Sequence, residues 1–199
     1  NFIVEGGSLE SDGEGTLLTT SECLLSPNRN GEWSKEQVEE YLVKAFGLKQ
    51  MLWLDHGYLA GDDTDSHIDT LARLCPNDTI VYVKCDDESD EHFDALRRME
   101  EQLRTFRTSD GGPYSLVPVP MTDPVFCGEE RLPATYANFL IMNGAVLLPV
   151  YNQPAKDELA RTALASVFTD RDIVCIDCSV LVKQHGSLHC VTMQYPEGV

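Results

Sequence analysis

Hydrophobic and polar positions along the chain change period repeatedly, from the short apolar runs of strands to the three- and four-residue spacing of helices. Residues 2–5 read as a strand that ends at Gly6-Gly7-Ser8. Thr16-Leu17-Leu18-Thr19-Thr20 reads as a second, after a turn bracketed by Gly13 and Gly15. Ser34 and Gln37 spell a capping box, and Val38, Tyr41, Leu42 and Ala45 then fall at helical spacing until Gly47. Met51-Leu52-Trp53-Leu54 follows as a buried strand. The order strand, strand, helix, strand returns at 68–74, 79–85, 90–106 and 115–119, and again at 139–142, 145–151, 155–168 and 173–176. Helices recur about every 55 to 65 residues, a period that suggests a propeller or array. The pattern predicts an α/β fold of three ββαβ units, with a last strand at 190–194 that belongs to a further unit.

Composition narrows the class. The 199 residues are enough for one domain with a real core, and 42% hydrophobic content is that of a globular protein. No apolar run reaches membrane-spanning length. Seven scattered cysteines lack the spacing of a disulfide framework, which points to a reducing cytoplasm. With 33 acidic and 15 basic residues the formal charge is −18, so nucleic acid and anionic membranes are poor partners. A small cation would be drawn to such a field, although a solvated acidic face accounts for much of the total. The opening Asn1-Phe2-Ile3-Val4-Glu5 has strand character from its first residues and reads as a chain entered in mid-domain.

Candidate chemistry concentrates in a few places. Gly186-Ser187-Leu188-His189-Cys190 sets a thiol after a Gly-Ser turn and at the start of an apolar run, a loop-to-strand junction suited to a nucleophile; simple packing is the commoner use of a cysteine. In Gly61-Asp62-Asp63-Thr64-Asp65-Ser66-His67-Ile68-Asp69, His67 and Asp69 lie two apart and would share a strand face. A solvated acidic loop is the plainer alternative. A calcium loop is disfavoured, because its turn glycine is missing and its bidentate acid position falls on Leu74. Glu5 stands at a strand end beside glycines that permit close approach. Cys175 and Cys178 form a single CxxC, weak as a zinc motif. His185 and His189 suit supporting roles better than metal ligation, and Arg29 and Arg131 carry no role that spacing reveals.

The ordered set Glu5-Gly6-Gly7-Ser8, Gly13-Glu14-Gly15-Thr16-Leu17-Leu18-Thr19-Thr20, Pro27-Asn28-Arg29-Asn30, Gly61-Asp62-Asp63-Thr64 with His67-Ile68-Asp69, Tyr136-Ala137-Asn138-Phe139-Leu140 and His185-Gly186-Ser187-Leu188-His189-Cys190 resembles the agmatine deiminases, in wording close to the proteobacterial type. These belong to the guanidine-modifying (pentein) superfamily, with arginine deiminases, peptidylarginine deiminases and amidinotransferases. The resemblance runs over essentially the whole chain. It implies a five-bladed α/β propeller, of which residues 1–199 would supply the C-terminal part, about three blades.

By that resemblance Cys190 matches the nucleophile, His67 the general acid and base, Asp69 a carboxylate gripping the guanidinium, and Glu5 the partner of the histidine. Asp63 is a candidate for the distal amine. The implied reaction converts agmatine and water to N-carbamoylputrescine and ammonia, on the route to putrescine, without metal or organic cofactor. The family's further guanidinium-binding Asp, in a Trp-x-Arg-Asp-like motif, has no match here, and Trp53-Leu54-Asp55 is not that motif. The chain alone is therefore expected to be inactive. Two rivals stand beside this reading: a deiminase of free or peptidyl arginine, and a propeller fragment kept as an interaction module. Whether like copies assemble stays open.

Overall fold

Apolar runs too short for one large sheet require crossover helices to pair in parallel, and the chain folds accordingly. A computed structural model describes residues 2–62 and 66–195. It opens with β1 (Glu10–Ser11), β2 (Thr16–Thr20), a single helical turn α1 (Ser21–Leu24), α2 (Lys35–Phe46) and β3 (Gln50–Leu54). Next come β4 (Ala72–Cys75), β5 (Thr79–Lys84), α3 (Phe93–Leu103) and β6 (Ser115–Pro120). After the small hairpin β7 (Phe126–Cys127) and β8 (Glu130–Arg131), the pattern closes with β9 (Leu140–Met142), β10 (Ala145–Val150), α4 (Pro154–Val167) and β11 (Asp172–Asp177). In each three-stranded sheet the middle strand runs antiparallel to the strand before it and parallel to the strand after the helix. The fold is mixed α/β, with three separate ββαβ sheets and the hairpin among the described residues.

Local chemistry explains the agreement. Both arms of the Ser34–Gln37 capping box form, and Gly47 ends α2 in the left-handed conformation at φ 66°. Val38 and Leu42 of α2 pack on Leu17, Met51 and Trp53, closing a small core under the first sheet. A larger core joins the second and third sheets through residues such as Ile68, Val83, Met99, Phe139 and Leu148.

Between the sheets lies a buried ion pair. Arg73 of β4 donates from Nε to Glu10 Oε2 of β1 at 2.8 Å, and Glu10 Oε1 accepts the backbone N–H of Leu74 at 3.0 Å. Arg73 Nη1 also reaches the carbonyls of Ala137 (3.2 Å) and Phe139, and its guanidinium lies 4.8 Å from the Phe139 ring centre. One side chain thus ties the first sheet, the second sheet and the approach to β9.

Two expected strands are not strands, and a third starts late. Residues 2–5 are irregular and lead into a 3₁₀ turn at Gly6–Ser8. The Asn30 side chain takes both backbone groups of Ile3, at 3.0 and 2.8 Å, which a strand would need for its ladder. Ile68–Thr70 is also 3₁₀, because the His67 carbonyl accepts both the N–H and the hydroxyl of Thr70; β4 begins only at Ala72. His189–Val191 is a third such turn, so the strand expected at 190–194 is absent. There the Asn138 carboxamide oxygen accepts the N–H groups of His189 (2.8 Å) and Cys190 (3.3 Å).

Candidate active site

Those three turns converge. His67 and Asp69 therefore meet across a tight helical turn rather than on a strand face, and Cys190 rides on a 3₁₀ turn rather than at a strand start. Thr20, the last residue of β2, sets one side: its hydroxyl donates to the Ser66 carbonyl at 2.8 Å and accepts the N–H of Cys23 at 3.3 Å. That clamps α1 against the backbone just before His67. The Gly6–Ser8 turn sets the other, with the Ser8 carbonyl accepting from Thr19 Oγ1 at 2.7 Å.

The result brings Glu5 Oε2 to 2.6 Å from His67 Nε2. The same oxygen accepts from Arg29 Nη2 at 2.8 Å and Nε at 3.1 Å. The Arg29 hydrogen bonds, and after them that of His67, hold the Glu5 carboxyl below the usual carboxylate range against some burial. Asp69 is fully buried; its Oδ2 sits 2.7 Å from His189 Nδ1, while Oδ1 has no partner among the described residues. A buried carboxylate oxygen left unpaired is costly unless something arrives to satisfy it.

The Cys190 thiol points at Asp69 Oδ2 across 3.8 Å and accepts from Asn138 Nδ2 at 3.3 Å. Asn138 also donates to the Asp69 carbonyl at 3.2 Å, so one fully buried amide aligns nucleophile and carboxylate. Part of Cys190 opens to the cleft, yet the packing around its sulfur and the nearby Asp69 carboxylate push the thiol up to about 11. The thiol is thus protonated at neutral pH until a positive charge comes close. Gly186 lies close beneath it: a Cβ there would stand 3.1 Å from Cys190 Cβ and would displace the Gln184 side chain. Ser187 anchors the loop through a 2.7 Å hydrogen bond with the Tyr151 hydroxyl.

Glu5, His67, Asp69 and Cys190 all face one cleft of about 1350 Å³. Gly7 supplies its roof. A Cβ on Gly7 would lie 2.6 Å from His67 Nδ1 and 3.1 and 3.2 Å from the two Asp69 carboxylate oxygens. Gly7→Ala should therefore push these groups off line and, in the longer protein and for the reaction proposed below, lower kcat/KM about 10²-fold, with the far-ultraviolet circular dichroism unchanged. Wild-type kinetics in that variant would show that the roof has room to spare.

Asp63, the candidate for the distal amine, and Asp65 lie outside the described residues. The Cys175–Cys178 motif is split between an exposed and a buried thiol. Arg131 is structural: it pairs with Asp90 (2.9 Å) and Glu91 (2.9 Å) and joins β8 to the start of α3. His189 takes the supporting role its spacing suggested, but spacing offered no sign of Arg29, Asn138 or Gly7 as site residues, since each acts across at least 24 residues of chain. Their only signal was membership of the quoted motifs.

Known proteins share this arrangement of elements. An arginine deiminase structure from Porphyromonas gingivalis, titled "putative", is 56% identical and superposes with a TM-score of 0.96, covering 99% of this chain and 58% of its own. The agmatine deiminase of C. jejuni with substrate bound is 43% identical, with a TM-score of 0.89 over 96% of this chain and 55% of its own. A Vibrio parahaemolyticus protein named "Putative agmatine deiminase" is 36% identical over 98% of this chain, which spans 58% of that relative's length. The family model described as Porphyromonas-type peptidyl-arginine deiminase matches residues 1–196, and the chain belongs to that family.

Proposed function

We propose that residues 1–199 are the C-terminal part of a five-bladed propeller hydrolase that converts agmatine and water to N-carbamoylputrescine and ammonia. The observation that carries this reading is the approach of the Cys190 thiol to 3.8 Å from Asp69 Oδ2, with Asp69 Oδ1 unpaired beside it. A guanidinium is planar and cationic, and it satisfies such an oxygen with an N–H while presenting its central carbon to the sulfur.

The steps follow from the residues. The arriving cation lowers the thiol's proton affinity, the thiol proton leaves to solvent, and the Cys190 thiolate adds to the guanidinium carbon to give a tetrahedral adduct. His67, held by Glu5, protonates the departing ammonia and leaves an S-alkylthiouronium on Cys190. His67 then takes a proton from water, the hydroxide adds to the same carbon, and the C–S bond breaks to release the ureido product. Asp69 holds the cation throughout. Seven thiols outside any disulfide support a reducing, cytoplasmic setting, and no helix is long and apolar enough to cross a membrane among the described residues.

Agmatine is favoured over arginine by the charge of the cleft. Glu10, Asp12, Glu14 and Asp78 line it beyond the reacting groups, whereas its cations Arg73 and Arg171 are engaged with Glu10 and with Asp170 and Met142. A substrate α-carboxylate would find no unengaged guanidinium among the described lining residues. The family description and the name of the P. gingivalis protein support the second reading, a deiminase of free or peptidyl arginine. The test is ammonia release from agmatine, arginine and an arginyl peptide by the longer protein that contains this chain. Agmatine should lead by at least about tenfold in kcat/KM; a lead by arginine would reverse the assignment. The 199-residue chain alone should release none, and turnover by it would refute its being a part. Inactivity of the longer protein on all three would favour an interaction module.

A further inference from the structure

Beside the Glu5–His67 pair stands a third potential metal donor that the proposed chemistry does not use. Beneath the Glu5–His67 pair sits Cys23 of α1, fully buried, and one ligand atom from each of Glu5, Cys23 and His67 lies within 4.8 Å of the others. Sulfur, imidazole nitrogen and carboxylate oxygen together are the donors of a zinc-type site, not of magnesium or calcium. Around tetrahedral zinc, bonds of about 2.0–2.3 Å put such atoms about 3.3–3.7 Å apart. The 2.6 Å contact between His67 Nε2 and Glu5 Oε2 needs to open only by a fraction of an ångström for an ion to replace the proton between them.

We propose that Glu5, Cys23 and His67 bind a divalent ion of the zinc or cobalt type, and that the bound ion silences the site. The set is held in place in advance. Thr20 fixes α1 to the Ser66 carbonyl, so Cys23 and His67 are positioned by the same hydroxyl. Ser66 Oγ adds a second tie to Glu22 of α1 at 3.1 Å. Arg29 keeps Glu5 ionised, so that ligand needs no deprotonation. On binding, the Cys23 S–H bond breaks, its proton and the one shared by His67 Nε2 and Glu5 Oε2 go to solvent, and the thiolate pair is donated to the ion; affinity therefore rises with pH. His67 Nε2 gives its lone pair to the same ion and can no longer shuttle protons. Binding does not depend on the deiminase reading; silencing does, because it assumes the acid–base work assigned to His67.

The test is a titration of the 199-residue Cys190→Ser chain with cobalt(II) chloride under argon. Cys190→Ser removes the exposed thiol of the cleft from competition, and Cys75, which also lines it, is buried. One equivalent of Co²⁺ should produce the near-ultraviolet charge-transfer band of a thiolate–cobalt bond, and Zn²⁺ should bleach it while Mg²⁺ leaves it. Cys23→Ser on that background should remove the band. His67→Ala should weaken binding at least tenfold, and it serves as the deciding variant should Cys23→Ser fail to fold by circular dichroism. A band that survives Cys23→Ser, unchanged affinity in folded His67→Ala, or no band at all would overturn the site. In the longer protein, Zn²⁺ should inhibit ammonia release in wild type and not in Cys23→Ser. Inhibition that persists in Cys23→Ser would overturn silencing by this site and assign it to another zinc-binding group such as Cys190. A cobalt band without inhibition would keep the site and remove the role given to His67.

Discussion

In the longer protein, under the proposed function, alanine at Cys190 should lower ammonia release from agmatine by at least about 10⁴-fold, because the proposed covalent intermediate forms on its sulfur. The thiol makes a sharper prediction before any turnover. Burial and Asp69 push it up to about 11, so a neutral alkylator such as iodoacetamide should modify Cys190 slowly at pH 7 and faster with each pH unit towards 11. Haloacetamidine carries its own cation. It should label Cys190 near neutral pH with a much flatter profile, since its amidinium sits against Asp69 and favours the thiolate. Intact mass with peptide mapping reads both. Equal pH profiles for the two reagents would mean that the substrate's charge does not arm the sulfur. Cys23 and Cys178, both fully buried, should stay unmodified in the folded chain.

The second large effect is on stability. Arg73→Ala leaves Glu10 buried with its charge uncompensated and strips the carbonyls of Ala137 and Phe139 of a donor. The expected cost is about 3–5 kcal/mol at neutral pH, measured by urea unfolding. Burial already raises the Glu10 carboxyl, and Arg73 is what opposes that shift. Without Arg73 the folded value rises further above the unfolded one. Protonated Glu10 is then the form that suits the fold, so the variant is best placed below the unfolded value and loses stability as pH climbs through the folded one. The deficit relative to wild type should shrink on acidification to about pH 5. Adding Glu10→Gln should recover part of it at pH 7. A pH-independent loss would show that packing around Phe139, rather than the stranded carboxylate, carries the cost.

Periodicity read the frame of this protein well where the sequence carries its own local signals. The Ser34–Gln37 box and Gly47 define α2 without tertiary help, and the apolar runs of β2, β5 and β10 are buried between neighbours whichever way the sheets are arranged. Helix α3 came out shorter than residues 90–106 because the Asp90 side chain takes the N–H of His92 at 2.9 Å and the helix starts only after it. The failures cluster at the site. Residues 2–5, 68–70 and 190–191 have strand-like composition, but their backbone partners are a hydroxyl or carboxamide elsewhere in the chain or the adjacent turn. Propensity does not register such partners.

The chemistry divides in the same way. The resemblance to agmatine deiminases, carried by the quoted motifs, named Cys190, His67, Asp69 and Glu5 as candidates. What chain order left open was their geometry and state. Only folding brings Arg29 onto Glu5, Asn138 between Cys190 and Asp69, and Gly7 over both. Hydrogen bonds and desolvation act over a few ångströms of space and take no account of separation along the chain. That is why the composition could announce an acidic protein suited to a cation, while the unpaired oxygen of Asp69 and the high-lying thiol beside it appear only in three dimensions.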